Sequence, residues 1–217
     1  MKNKFFDENG FFVRFMEGFA NLIILNLLTL LCCLPIVTSG AALAALHFVV
    51  MQIVNNEDGK ITSTYFKQFK ANLRNATPIA LIYIALAVLV VFELRTANQM
   101  KSLGAIVTAC IFGFIFIMLA IFVWIIPLTA KFVYNTAGAF RNALYLAFSK
   151  LPRTVCMIII TVIMPVLIVN FPALWPIGIM LGVSLPVFLC ALIYNPVFKE
   201  LIEQREGSGE NEENGSN

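Results

Sequence analysis

LGAIVTACIFGFIFIMLAIFVWIIPL, residues 103–128, decides the class of fold: 26 consecutive residues carry no charged side chain. An α-helix rises about 1.5 Å per residue, so about 20 apolar residues cross the roughly 30 Å hydrocarbon layer of a bilayer. Lipid offers no water to backbone N–H and C=O groups, so a run of this length is read as a helix that pairs them internally. Shorter apolar runs lie on either side, at residues 19–37, 40–54, 78–92, 155–169 and 177–194. Together they predict an all-α, polytopic transmembrane helix bundle of five or six membrane segments.

The segment count turns on Leu34-Pro35-Ile36-Val37-Thr38-Ser39-Gly40. Pro35 lacks a backbone donor and Gly40 frees the backbone, so Pro35, Thr38 and Gly40 mark a helix break. A hairpin there makes six segments; a kink in one long tilted helix makes five. The last two segments are joined by residues 170–176, an uncharged link whose prolines mark a turn and whose Trp175 suits a membrane interface.

Composition agrees with a membrane class. The 217 residues are 60% hydrophobic and 12% charged, with mean hydropathy +0.87, whereas soluble domains carry about 25% charged residues. The net charge of +3 is too small to point to nucleic acid. Its distribution is more informative. Links 55–77 and 130–154 hold Lys60, Lys67, Lys70 and Arg74, then Lys131, Arg141, Lys150 and Arg153; the alternate links hold only Arg95 and Lys101, then none. The excess of bases on cytoplasmic loops therefore places both basic links inside. Lys2, Lys4 and Arg14 favour an inside N-terminus, hence the hairpin. Asp7, Glu8 and Glu17 among them argue against a cleaved secretory signal. The expected organisation is a bundle over residues 1–198 and a charged, mostly disordered cytoplasmic tail over 199–217, rich in Gly, Ser, Asn and Glu from Gly207.

At about 100° per residue, Ile61, Tyr65, Phe66, Phe69, Leu73 and Ala76 share one arc, and Lys60, Lys67, Lys70 and Arg74 a narrower one. An amphipathic cytoplasmic helix follows, with Lys67, Lys70 and Arg74 as its membrane-surface face toward anionic headgroups. The alternative is a loop helix packed on the bundle. Each basic link also pairs an aromatic with a base (Phe66-Lys67, Phe140-Arg141) and reaches a proline (Pro78, Pro152), a faint parallel repeat.

Few residues invite chemistry. His47 is the sole histidine, so a triad or metal site has one candidate and no second imidazole. A neutral histidine packed on a neighbouring helix is the plainer expectation. Asn21, Asn26 and Thr29 read as helix–helix glue or a polar seam, and Glu93 and Arg95 as interfacial anchors. Gly178 and Gly182 fit the G-x-x-x-G spacing for close helix contact. The five cysteines, Cys32, Cys33, Cys110, Cys156 and Cys190, sit in apolar runs without C-x-x-C spacing and read as small hydrophobes. Nucleotide-binding, serine-hydrolase and zinc-protease motifs are absent. No catalytic, cofactor-binding or metal residue is assigned, and the expected activity is non-enzymatic.

Three sets of residues carry a family resemblance. They are Asn21-Leu22-Ile23-Ile24-Leu25-Asn26-Leu27-Leu28 running on to Leu34-Pro35-Ile36-Val37-Thr38-Ser39-Gly40-Ala41, then Glu57-Asp58-Gly59 with Tyr65-Phe66-Lys67-Gln68-Phe69-Lys70-Ala71-Asn72, and Asn142-Ala143-Leu144 with Leu151-Pro152-Arg153-Thr154. In order and spacing they resemble the YesL-like bacterial membrane proteins, up to about residue 198. That family has no established activity, is typical of Gram-positive bacteria, and often has genes beside those for carbohydrate import and glycoside degradation. The resemblance implies a multi-pass bacterial plasma-membrane protein, and it supplies no catalytic residues. The expected function is an accessory or regulatory component linked to carbohydrate import, with the bilayer and a carbohydrate ABC importer as partners and a homo-oligomer left open. The alternative is a small secondary transporter or channel, motivated by the break at Pro35.

Overall fold

The computed structural model describes the backbone of residues 11–57, 59–97, 104–132 and 135–214, and within these the side chains from 16 to 203. Lys2, Lys4 and residues 215–217, on which part of the N-terminal and tail expectations rest, lie outside the described residues, as does the side chain of Arg14. Among the described residues all regular structure is helical, and six helices are long and apolar enough to cross a membrane.

The break at Pro35 is a hairpin. Helix α1, Phe11–Cys33, ends ahead of a short 3-10 turn, Ile36–Thr38, and α2, Ser39–Val54, follows. The Thr38 hydroxyl reaches the carbonyls of Cys32 at 2.7 Å and Pro35 at 2.9 Å, covering acceptors that the end of α1 leaves open. Glu17 and Asn21 at the start of α1 line the same surface depression as Gln52 and Asn56 at the end of α2. The two helices are therefore antiparallel, so Pro35 marks a hairpin between two apolar helices and not a kink in one.

Helix α3, Ile61–Ala97, joins the amphipathic link and the third segment into one 37-residue helix with Pro78 inside it. Sequence reading separated the two at Pro78. A proline removes one intrahelical bond, but a membrane helix tolerates that where neighbours cover the freed group. At about 1.5 Å per residue α3 is about 55 Å long, well beyond the roughly 30 Å of a hydrocarbon layer. Its two halves have different surroundings. Tyr65, Asn72, Ala76, Ile79 and Ala80 are buried, and α2 packs on this first half. Leu81, Ile82, Val88, Leu89, Val91 and Phe92 are exposed.

The start of α2 approaches α3 closely. A methyl group at Gly40 would strike the Ala76 carbonyl and come within 2.7 Å of the Ala80 methyl, so only glycine fits there. Ala41, Ala42, Ala44 and Ala45 are fully buried beside it. Without a hydrophobic drive between helices in lipid, such close packing of small residues supplies the attraction.

Helix α4, Gly104–Lys131, runs antiparallel to the second half of α3, and Tyr83 Oη donates to the Met118 carbonyl at 3.2 Å. Its last third, from Ala120 to Ala130, enters the core. Helix α5, Thr136–Ser149, opens on Asn135, whose side chain accepts from the Thr136 amide at 2.8 Å. Helix α6, Leu151–Asn170, begins one residue later. Thr154 ties that corner to α4: it accepts from Trp124 Nε1 at 2.9 Å and lies 3.1 Å from the Ala147 and Lys150 carbonyls.

The last expected segment, residues 177–194, is not continuous. After a 3-10 turn, Pro172–Leu174, a short α7, Trp175–Leu181, stops, and α8, Ser184–Asn214, begins. Helix α8 passes residue 198 without interruption, and Lys150 on the adjoining corner pairs with Glu200 at 3.1 Å. The five cysteines are free thiols, two of them, Cys110 and Cys156, exposed among apolar neighbours.

Gly40→Val should separate α2 from α3 and lower the detergent-solubilised melting temperature, at a cost of about 1–3 kcal/mol for overpacking. Gly18→Ala, where a methyl meets nothing within 4 Å, should leave it unchanged or raise it slightly. A Gly40→Val protein that melts with the wild type removes the close contact from the account.

Candidate functional site

The interruption between α7 and α8 has a local and a distant cause. Locally, a methyl on Gly182 would strike the Gly178 carbonyl, and the Gly182 amide donates to that same carbonyl at 2.8 Å. Gly178 in turn lies against Ile168 of α6, about 3.0 Å from where its methyl would sit. The G-x-x-x-G pair thus serves a turn at Gly182 and a helix contact at Gly178. At a distance, Asn26 of α1 supplies what the interruption leaves unpaired. Its Nδ2 donates to the Ile179 carbonyl at 2.7 Å, and its Oδ1 accepts from the amides of Val183 at 2.8 Å and Ser184 at 2.9 Å. Asn26 is fully buried. One side-chain amide therefore caps the end of one helix and the start of another.

Beside this break lies a cavity of about 150 Å³. Leu43 and His47 of α2, Phe122 of α4, Thr161 of α6, and Gly182 and Cys190 on either side of the α8 start face it. None of its lining residues is acidic. His47 Nδ1 lies 3.0 Å from Tyr194 Oη, and the two rings are 5.8 Å apart. The expectation of a histidine packed on a neighbouring helix describes this arrangement. Cys190 Sγ sits 3.7 Å from the Thr161 hydroxyl. The cavity therefore suits an apolar occupant with at most one or two hydrogen-bonding atoms.

A second, open depression of about 490 Å³ is polar and lies where α1 starts and α2 ends, with Glu17, Asn21, Gln52, Asn56 and Glu57 around it. Asn21 is thus away from Asn26, and the expected seam of Asn21, Asn26 and Thr29 divides. Asn21 faces this depression, Asn26 caps the break, and Thr29 is buried beside Tyr65. Among the described residues no group of three His, Cys, Asp or Glu is placed to hold a metal ion.

The other sequence-derived residues fall as follows. Pro35 and Thr38 form the hairpin connector and Gly40 the contact with α3. They do not line the cavity; the break that adjoins it is at Gly182, the second glycine of the G-x-x-x-G pair. Lys67, Lys70 and Arg74 are exposed and fall within about 60° of one another around α3. Tyr65, Asn72 and Ala76, on the opposite side, are buried against the bundle, and Phe69 packs on the core. The apolar arc is therefore divided, its centre against protein and its edge, Phe66 at 38% exposure, free. Glu93 and Arg95 are exposed near the end of α3.

A family model described as a protein of unknown function, DUF624, matches residues 22–94. The match runs from α1 through most of α3, and so includes Asn26, Gly40, His47 and the basic face. Neither the curated proteins nor the solved structures contain a match to this chain.

Asn26→Leu should destabilise the protein by about 1–3 kcal/mol, because two amides and a carbonyl lose their partner. Amide hydrogen exchange at Val183 and Ser184 should accelerate more than at the α4–α6 corner. Uniform acceleration, or none, would detach Asn26 from the break.

Replacing Lys67, Lys70 and Arg74 with Gln should leave the fold intact. It should shift a fluorophore at Ala71→Cys toward a more aqueous signal, more strongly in anionic than in neutral vesicles. A probe indifferent to both changes would mean that this face does not meet headgroups.

Proposed function

We propose that this chain is a multi-pass protein of a bacterial plasma membrane, of the YesL-like kind, acting as a non-enzymatic accessory or regulatory partner of a carbohydrate importer. The basic links face the cytoplasm. The observation that carries a scaffold role is where the buried polar groups point. Asn26 holds a helix break, His47 meets Tyr194, Trp124 meets Thr154, and Asn195 donates to Asn55 at 2.7 Å. Each of these pairs joins two elements of the bundle, and the cavity beside them offers no carboxylate to pair with His47 for proton transfer. The link to sugar import rests on the family resemblance alone.

Tagged protein extracted in mild detergent from cells grown on an inducing carbohydrate should bring down the membrane subunits of an ABC importer in near-equal amount. Recovery of the tagged chain alone, under every inducing sugar, overturns the partnership. Orientation is read separately. In a background lacking the native cysteines, Thr96→Cys should react with an impermeant reagent from outside intact cells and Arg141→Cys should not.

A second reading, a small transporter, draws on a specific feature. The α7–α8 interruption adjoins the cavity, and the Ser184 hydroxyl at the start of α8 is buried without a partner. Discontinuous helices of this kind expose backbone to substrates in transporters. Reconstituted vesicles showing saturable solute flux that Asn26→Leu abolishes would favour it over the scaffold.

A further inference from the structure

Helix α3 carries its own marks of membrane depth. Between Arg74 and Glu93 lie the 18 residues 75–92 without a charge, about 27 Å of helix and close to one hydrocarbon thickness. The partner of that stretch is α4, as the Tyr83–Met118 bond records. Helix α2 is placed elsewhere. Its first residues meet α3 at Ala76 and Ala80, the end of the charge-free stretch nearest the bases. From there α2 runs back along the half that bears Lys67, Lys70 and Arg74: Tyr65 Oη reaches the Ala42 carbonyl at 3.4 Å, and Ile61 shares a depression with Val49 and Gln52. From Ala80 to Glu93 a further 13 residues of α3 remain, about 20 Å. The connector from α1 cannot reach that far, because Thr38 is bonded back to Cys32.

The tip of the hairpin is nevertheless among the most apolar and exposed surfaces of the chain. Leu34 is 78% exposed, Ile36 66% and Val37 52%. Residues 18–56 contain no charged side chain. The outward face of α1, with Phe19, Ile24, Leu27, Leu30 and Leu31, is exposed along its length. Exposed apolar surface of this extent marks contact with a membrane or with another protein, and beside membrane-length apolar helices the membrane is the partner that fits it. A tip that stops well short of the level of Glu93, and that is itself apolar, therefore ends inside the acyl layer.

We infer that α1 and α2 form a re-entrant hairpin. It enters the bilayer from the side of the basic links, ends among lipid acyl chains at Leu34–Val37, and returns to the same side. The chain then crosses fully four times, through α3, α4, α6 and the α7–α8 pair, and lipid tails are the partner of the hairpin tip. With its 3-10 turn α2 forms a 19-residue apolar stretch, long enough by itself to cross, so its depth is set by its register against α3 and not by its length. The 3-10 connector can lie at membrane depth because the Pro35 and Ile36 carbonyls are covered by the Thr38 and Ser39 hydroxyls. Four crossings and six leave the start of α1 and the end of α8 on the same side, so only the tip distinguishes them.

The test uses the full chain with its native cysteines replaced and single cysteines at Val37, at Thr96 and at Glu57. An impermeant maleimide should label Thr96→Cys from one side of the membrane, Glu57→Cys from the other, and Val37→Cys from neither. A nitroxide attached to Val37→Cys in detergent and then reconstituted should be relaxed strongly by oxygen and weakly by a nickel chelate. Its depth should fall in the leaflet nearer Glu57. Labelling of Val37→Cys from the Thr96 side means that the hairpin crosses completely and overturns the inference. Labelling from the Glu57 side means that it lies outside the bilayer and overturns it equally. Ile36→Cys, beside it on the exposed tip, repeats the measurement should the first variant fold poorly.

Discussion

The structure depends on the close approach of α2 to the first half of α3. Gly40 against Ala76 and Ala80 brings two backbones together at a spacing that no larger side chain allows. Once α2 is held there, its other faces are open to α1, α4 and α8, and it becomes the most enclosed helix of the bundle. In water such a helix would be buried by the hydrophobic effect. In lipid, where the tails are as apolar as leucine, dispersion between tightly fitted small residues does the same work. The row of alanines that follows Gly40 in α2 extends this fit along the helix.

Around that packed centre, polar side chains appear where the backbone or a neighbouring ring needs a partner. Asn26 answers the interruption at Gly182, which would otherwise leave two amides and a carbonyl unpaired at membrane depth. Thr154 answers the corner between α5 and α6, and Thr38 the corner between α1 and α2. An unpaired backbone group in hydrocarbon costs several kcal/mol, and at these three irregular points a nearby side chain covers it. His47 and Tyr194 form a further pair between α2 and α8.

These facts give the functional reading its shape. The basic face on α3 points away from the bundle, while the side opposite it is committed to α2. The cavity at the α7–α8 break is small and apolar, and the more polar depression opens where α1 begins and α2 ends. The inward-turned polar pairs and the basic face of α3 are the features that support the accessory role proposed above.

Much of this was legible in the sequence, and for local reasons. A run of 26 uncharged residues, 103–128, is a helix in lipid whatever surrounds it. The placing of Lys and Arg in alternate links and the punctuation at Pro35 are likewise properties of short windows, and so is the arc of bases on α3. Pro35 by itself does not choose between hairpin and kink, because a proline removes one bond without fixing the direction in which the chain leaves; only the basic residues Lys2, Lys4 and Arg14 favour the hairpin. The contact of Gly40 with Ala76 and Ala80 made that choice. The G-x-x-x-G spacing gives the helix contact at Gly178 but not the interruption at Gly182, whose partner, Asn26, is more than 150 positions away along the chain. Pro78 was read as a boundary although α3 continues through it, since only the neighbours of a helix determine whether a lost bond can be tolerated. Sequence by itself determined which stretches are helical and apolar, because those are sums over adjacent residues. Tertiary structure alone decided which helices touch and which amide covers which break, because these depend on pairs that no local window contains.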